Sequence, residues 1–139
     1  LTLAAEETRT FPEIDLVEGD ALAMPFPEGS FDVVTMHLAL HHFPAERIIP
    51  LLREMDRVLR PGGIMLVGDL VRTRANLWLV EAACRLFGSP ATLRDGRTSI
   101  RNDYSRAELT EFMRNSELGY LTFARPSYPT QVLLAGKKP

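Results

Sequence analysis

The order of apolar runs, turn residues and helical faces along these 139 residues predicts an α/β fold with a largely parallel sheet and a closing hairpin. Three observations carry that expectation. Short runs rich in β-branched residues alternate with amphipathic helical stretches. The run "IMLVGDL" is apolar almost throughout, as expected of a strand covered on both faces. The last two strand-like runs follow one another with only a proline-bearing loop between them.

The elements follow in order. Leu3 to Arg9 has helical composition but neither a capping residue nor a loop before it, so a helix whose start is missing is expected. Ile14 to Asp20 is a short apolar run closed by Gly-Asp, which predicts a strand and its exit turn. "ALAMPFPEGS" holds two prolines and a glycine and predicts a loop. Phe31–His37 predicts a second strand. In "AERIIPLLREMDRVLR" the residues Ile48, Leu51, Leu52, Met55, Val58 and Leu59 recur at spacings of three and four, which predicts an amphipathic helix. "PGG" is expected to stop it, and Ile64–Leu70 to form the third strand. Asn76 to Phe87 is apolar and helical, and the segment after it predicts turns. "SRAELTEFMRNSE" predicts a helix with Ser105 as N-cap and Glu108 completing a capping box. "GYLTFAR" and "QVLLAGKK" predict the two closing strands.

Composition excludes several classes of function. With 45% hydrophobic residues the chain suits one globular domain. The net charge is −2, and no basic run exceeds the Lys137–Lys138 pair, so nothing resembles a footprint for nucleic acid or anionic lipid. The single cysteine, Cys84, has no partner for an internal disulfide, which makes the cytoplasm the expected location. No apolar run approaches the roughly 20 residues needed to span a bilayer.

The stretch "SFDVVTMHLALHHF" ends in two adjacent histidines, with His37 four residues before His41. Histidines at that spacing share a helix face and suggest a metal. However, there is no His-Glu-x-x-His pattern and no cysteine partner, and the nearest carboxylate, Glu46, lies on the following helix, so no metal is expected. Two readings of His41 and His42 remain. One has a member of the pair packing in the turn and bonding backbone; the other has His41 or His42 facing a substrate as base or polar contact. Asp20, taken alone, is a turn residue that caps its own backbone.

The segment "EGDALAMPFPEGSFDVVTMHLALHHFPAERIIPLLREMDRVLRPGGIMLVGDL" resembles the class I S-adenosylmethionine-dependent methyltransferases, in their small-molecule branch with the ubiquinone and menaquinone C-methyltransferases. "GDA…MPFPEGSFDVV", "LHHF" and "E…RVLRPGG" stand at the family's order and spacing. The tail "YSRAELTEFMRNSELGYLTF…LLAGKKP" is similar to its last helix and antiparallel strands. The resemblance implies a Rossmann-like sheet of order 3-2-1-4-5-7-6, with Ile14–Gly19 as strand 3 and Phe31–His37 as strand 4. The family's first two strands, its glycine-rich turn and the acidic residue after its second strand have no counterpart. The expectation is therefore a partial domain over residues 1–139, lacking those strands and ending in an antiparallel pair.

By the same resemblance the activity is methyl transfer from S-adenosylmethionine to a small-molecule acceptor, at carbon or oxygen, by in-line displacement. The alternative is a remnant that binds without catalysis. The resemblance assigns Asp20, Ala21 and Leu22 to the adenine side of the cofactor, and Met36 and His37 to its methionine side. It leaves His41 and His42 as catalytic candidates, with His41 placed toward the substrate and His42 at the corner before Phe43 and Pro44. Asp69 is read as a substrate-side or capping residue. Arg97, Arg101 and Tyr104 fall in the segment resembling the substrate lid, where a solvated loop is expected. Trp78 and Phe87 are lid or core.

Overall fold

The computed structural model describes residues 6–88, 98, 102–124 and 131–139. It has an α/β architecture. The four strands are β1 (Phe31–His37), β2 (Leu59–Leu70), β3 (Thr122–Ala124) and β4 (Gln131–Lys137), and the helices are α1 (Ala45–Val58), α2 (Arg74–Phe87) and α3 (Arg106–Ser116). Sheet order is β1-β2-β4-β3. β1 and β2 run parallel, whereas β2–β4 and β4–β3 are antiparallel, so the described sheet is mixed and not largely parallel as expected. This is the 4-5-7-6 end of the sheet order that the resemblance implies, including the antiparallel close.

The spacing of apolar residues in α1 decides its packing. Ile48, Leu51, Leu52, Met55 and Val58 are all buried on one face. Ile48, Leu51, Leu52 and Met55 form one cluster with Met65 and Val67 of β2 and Val132 and Leu134 of β4. Burying each such side chain contributes about 1.5–3 kcal/mol, so the α1–sheet layer is the main source of stability. α3 lies against α1, where the Arg53 guanidinium donates to the Ser116 and Asn115 carbonyls at the helix end. The capping box forms as read: Ser105 Oγ accepts from the Glu108 N–H, and Glu108 accepts from the Ser105 N–H. The Ser105 hydroxyl, the largest cause, holds the Glu108 carboxyl below its ordinary value, helped by the ion pair with Arg72.

Two expectations are corrected. Ile14–Gly19 is not a strand; its residues are exposed and join no ladder, and the one bridge nearby is Asp20 with Ala23. An extended run becomes a strand only when a neighbour accepts its hydrogen bonds, and β1, the strand that follows, pairs with β2 instead. The second correction concerns "PGG". It does not separate helix from strand but lies inside β2, which begins at Leu59. Phe31 pairs with Leu59 while Val33 pairs with Ile64, so the intervening residues bulge from the ladder. Gly62 has φ +76°, and a Cβ at Gly63 would stand 2.6 Å from Leu59 Cδ1, so the bulge requires both glycines.

Residues 1–5 of the expected first helix, Arg97, Arg101 and residues 125–130 of the closing loop lie outside the described residues, as does the Phe87 side chain. Trp78 is 68% exposed and is not core. Tyr104 is buried, against the expectation of a solvated loop: its ring meets Phe112 edge-on at 5.1 Å. Among the described residues no helix is long and apolar enough to cross a membrane.

Candidate active site

β1 ends in a bend that the backbone has to be forced into. Leu38 has φ +51°, a region that side-chain-bearing residues seldom adopt. Its N–H donates to the Gly68 carbonyl of β2 at 2.9 Å, which holds the bend. A single 3-10 turn, Leu40–His42, follows. Leu40 is buried beneath it and anchors it to the core.

The turn carries His41 onto the carboxyl end of β2. His41 Nδ1 lies 3.1 and 3.2 Å from the two oxygens of Asp69, and the His41 backbone N–H donates to the same carboxylate at 3.2 Å. The Leu70 N–H donates to it as well, at 2.8 Å. A carboxylate with this many donors fixes the imidazole in one orientation. Nδ1 is turned to Asp69, and Nε2, for which no bond forms among the described residues, is left for another partner. Asp103, just ahead of α3, approaches from the other side with Oδ1 3.5 Å from His41 Nδ1. Side-chain exposures of 8% for His41, 3% for Asp69 and 1% for Asp103 make this a buried cluster. The Asp103 segment is tied to the turn by Tyr104, whose hydroxyl donates to the Phe43 carbonyl at 2.6 Å. The three donor groups lie within 4.8 Å of one another, close enough for a small cation. Each Asp69 oxygen accepts from one backbone N–H, and a carboxylate has acceptor sites left for a further donor.

His42 does not take the corner role expected of it. Its side chain is exposed, and its ring rests on that of His41 at 4.2 Å. The packed and bonded histidine is His41. His37, at the end of β1, is exposed and lies across Gly68, where a Cβ would stand 2.8 Å from His37 Cδ2. Met36 is partly buried against the core.

The residues expected on the cofactor side stand elsewhere. Asp20 is exposed, and its Oδ1 accepts from the Leu22 N–H at 2.9 Å, the self-capping turn foreseen for it. Asp20 and Ala21 line a hollow of about 150 Å³, and Met36 lines a second, apolar one of about 240 Å³. Met24 and Phe26 line both hollows, so the two are adjacent. Leu22 lines neither and packs toward the core. The loop that carries these residues is held by α1. Arg57 donates to the Met24 and Phe26 carbonyls at 3.1 and 2.9 Å, and Glu54 accepts from the Met24 N–H at 2.7 Å. Glu54 and Arg57 also pair with each other at 2.7 Å. The Arg57 hydrogen bond is the chief cause that lowers the Glu54 carboxyl.

Residues 1–67 match the profile of a family described as a methyltransferase domain. The chain is 38% identical over 63 residues to demethylmenaquinone methyltransferase from Bacillus licheniformis, covering 45% of this chain and 26% of the relative. The same enzyme from Staphylococcus carnosus is 42% identical over 64 residues, covering 46% and 26%. Over residues 1–67 the chain is similar to this methyltransferase family. The match spans about a quarter of the length of those relatives. Solved methyltransferase structures share the fold over nearly the whole chain. A SAM-dependent methyltransferase from Aquifex aeolicus superimposes with TM-score 0.66 at 14% identity, covering 99% of this chain and 63% of that one. A SAM-dependent methyltransferase from Thermotoga maritima gives 0.61 at 22%, covering 97% and 69%. PigF with SAH gives 0.69 at 17%, covering 99% and 40%.

Within this methyltransferase frame, residue-by-residue reading located Asp20 and the histidine turn. It left Asp69 between two roles and did not single out Asp103 or Glu54. Asp69 carried a weak signal as the last acidic residue of a buried strand. Asp103 carried none, since only the packing of Tyr104 brings it to His41.

Proposed function

We propose that the protein transfers a methyl group from S-adenosylmethionine to a small-molecule acceptor. The observation that carries this is the meeting of His41 and Asp69 at the carboxyl ends of two adjacent parallel strands, β1 and β2. That is the place where doubly wound sheets bind their ligands. The two adjacent hollows suit a cofactor laid along them. Asp20 and the Ala21 N–H would meet its adenine side, with Leu22 behind them in the core, and Met36 and His37 its methionine side. The relatives' acceptor, a demethylmenaquinone, makes an aromatic ring bearing hydroxyl groups the class of acceptor to try first.

S-adenosylmethionine supplies, when bound, a methyl group already activated by a positive sulfur. The chain's own residues then have two tasks. The first is positioning: holding acceptor and methyl donor aligned lowers the barrier by as much as ~7–11 kcal/mol. The second is removing a proton from an acceptor hydroxyl as its oxygen, or the ring carbon conjugated with it, attacks. His41 fits that second task. Asp69 orients it through Nδ1 and leaves Nε2 to receive the proton. His42, exposed beside it, is placed to contact the acceptor. The test is transfer of labelled methyl from S-adenosylmethionine to a panel of dihydroxy-aromatic acceptors by the whole protein. Label appearing in one acceptor is the expected result. No transfer to any, with no binding of S-adenosylmethionine, would favour the non-catalytic alternative.

A further inference from the structure

Asp103 is the least expected charge in the molecule. It is 1% exposed, and neither of its carboxyl oxygens has a hydrogen-bond partner. Among the described residues, the Tyr104, Ser105 and Asn76 donors are committed elsewhere. The Tyr104 hydroxyl goes to Phe43, the Ser105 hydroxyl to Glu108, and the Asn76 amide donates to the Val71 carbonyl at 2.7 Å. Arg72 is the nearby guanidinium, but it is half-exposed and bonds both oxygens of Glu108 at 2.6 and 2.7 Å. What faces Asp103 is the Asp69 carboxylate and the His41 ring. The His42 ring lies 4.2 Å from that of His41, tilted by 46°, and Glu46 and Glu108 act on Tyr104. A buried carboxylate without donors is costly enough that the group takes a proton instead. Two carboxyl groups that share one site cannot both remain ionised.

We propose that Asp103 is a positioning residue of the acceptor site: a neutral carboxylic acid that donates its proton to the Asp69 carboxylate and so leaves His41 unprotonated and able to accept one. The proposal rests on the assignment of His41 as the base. Were both carboxyls ionised, two negative charges against one imidazole would hold it as imidazolium, with no lone pair at Nε2. With Asp103 protonated, the cluster carries −1 while His41 is neutral. It becomes neutral when His41 takes the acceptor's proton, and no other proton has to move. Burial first, and then the charge of Asp69, push the Asp103 carboxyl up to about 7, against the opposing pull of His41 and Arg72.

The experiment reads the cluster without turnover, so an absence of methyl transfer leaves it interpretable. In the whole protein, the carbon-13 resonance of the Asp103 carboxyl is followed against pH. A carboxyl midpoint near 7 is expected; an ordinary carboxylate midpoint near 4 would overturn the proposal. In Asp103→Asn the amide still donates to Asp69 but cannot ionise. The carboxyl transition near pH 7 should then be absent. A transition near pH 7 that survives in Asp103→Asn overturns the proposal. So does stoichiometric uptake of Zn²⁺ or Mn²⁺ that Asp103→Asn abolishes, because the three groups would then be metal ligands. Stability supplies a further readout. The folded-state value of about 7 lies above the unfolded 3.8, so the native state binds more protons between them. The contribution of Asp103 is full below about pH 4 and is lost as pH rises through about 7. Asp103→Asn should therefore gain on the wild type over that interval, and a pH-independent difference counts against the proposal.

Discussion

The two sides of the proposed site, one for the acceptor and one for the cofactor, are built differently. On the acceptor side His41, Asp69 and Asp103 come from three elements and are almost fully buried. On the cofactor side Asp20 stands exposed on a loop, and its recorded bond is to its own turn. The acceptor side is thus part of the core, where Asp69 is held by N–H donors and Asp103 is buried without one. The cofactor side is a surface that α1 holds in shape through Glu54 and Arg57. The difference teaches that substitution should uncouple the two. A change on the acceptor side should alter folding and chemistry together, whereas a change on the cofactor side should alter binding alone.

The largest expected effect comes from His41→Ala. Loss of a general base lowers turnover by ~10²–10⁴-fold. The same change strips the buried Asp69 of its imidazole, costing about 1–3 kcal/mol of stability. Turnover and melting temperature measured on one preparation should both fall. A normal turnover with a depressed melting temperature would make the cluster purely structural. Asp20→Ala comes next. It should weaken S-adenosylmethionine binding by about 1–3 kcal/mol, read by calorimetry. Because Asp20 is exposed, the melting temperature should hold. A stability loss with unchanged affinity would place Asp20 in the scaffold rather than the site.

Arg57→Ala sharpens the comparison from the middle. Arg57 is partly exposed, and its guanidinium bonds two loop carbonyls besides Glu54. Its removal should lower the melting temperature slightly, since the loop loses these hydrogen bonds, and should weaken cofactor affinity without touching the acid–base limbs of a pH–rate profile. The smallest expected change is in His42→Ala. Its ring is exposed, so stability should move by no more than about 0.5 kcal/mol. A KM change for the acceptor, at constant melting temperature, would show that His42 contacts it. A melting loss as large as that of His41→Ala would restore the corner role that the structure gives to His41.

The amino-acid sequence by itself determined the elements whose reasons are local. The three- and four-residue spacing set the buried face of α1. Ser105 and Glu108 set the start of α3, and Gly-Asp set the turn at Asp20. The β-branched run set β1. These need only neighbours a few residues away, so their causes are visible in a string. Tertiary structure alone decided what depends on a partner. Ile14–Gly19 has a strand's composition but no ladder to join, and "PGG" reads as a stop until Leu59 pairs with Phe31 ahead of it. The same holds for the cluster. His41 and Asp69 are 28 residues apart in the chain, and Asp103 reaches them only because Tyr104 docks its hydroxyl on Phe43. Which histidine is buried and which carboxyl keeps its proton follow from burial and from the charges that packing brings within a few ångströms. Such energies depend on distance through space, and residue spacing along the chain does not record it.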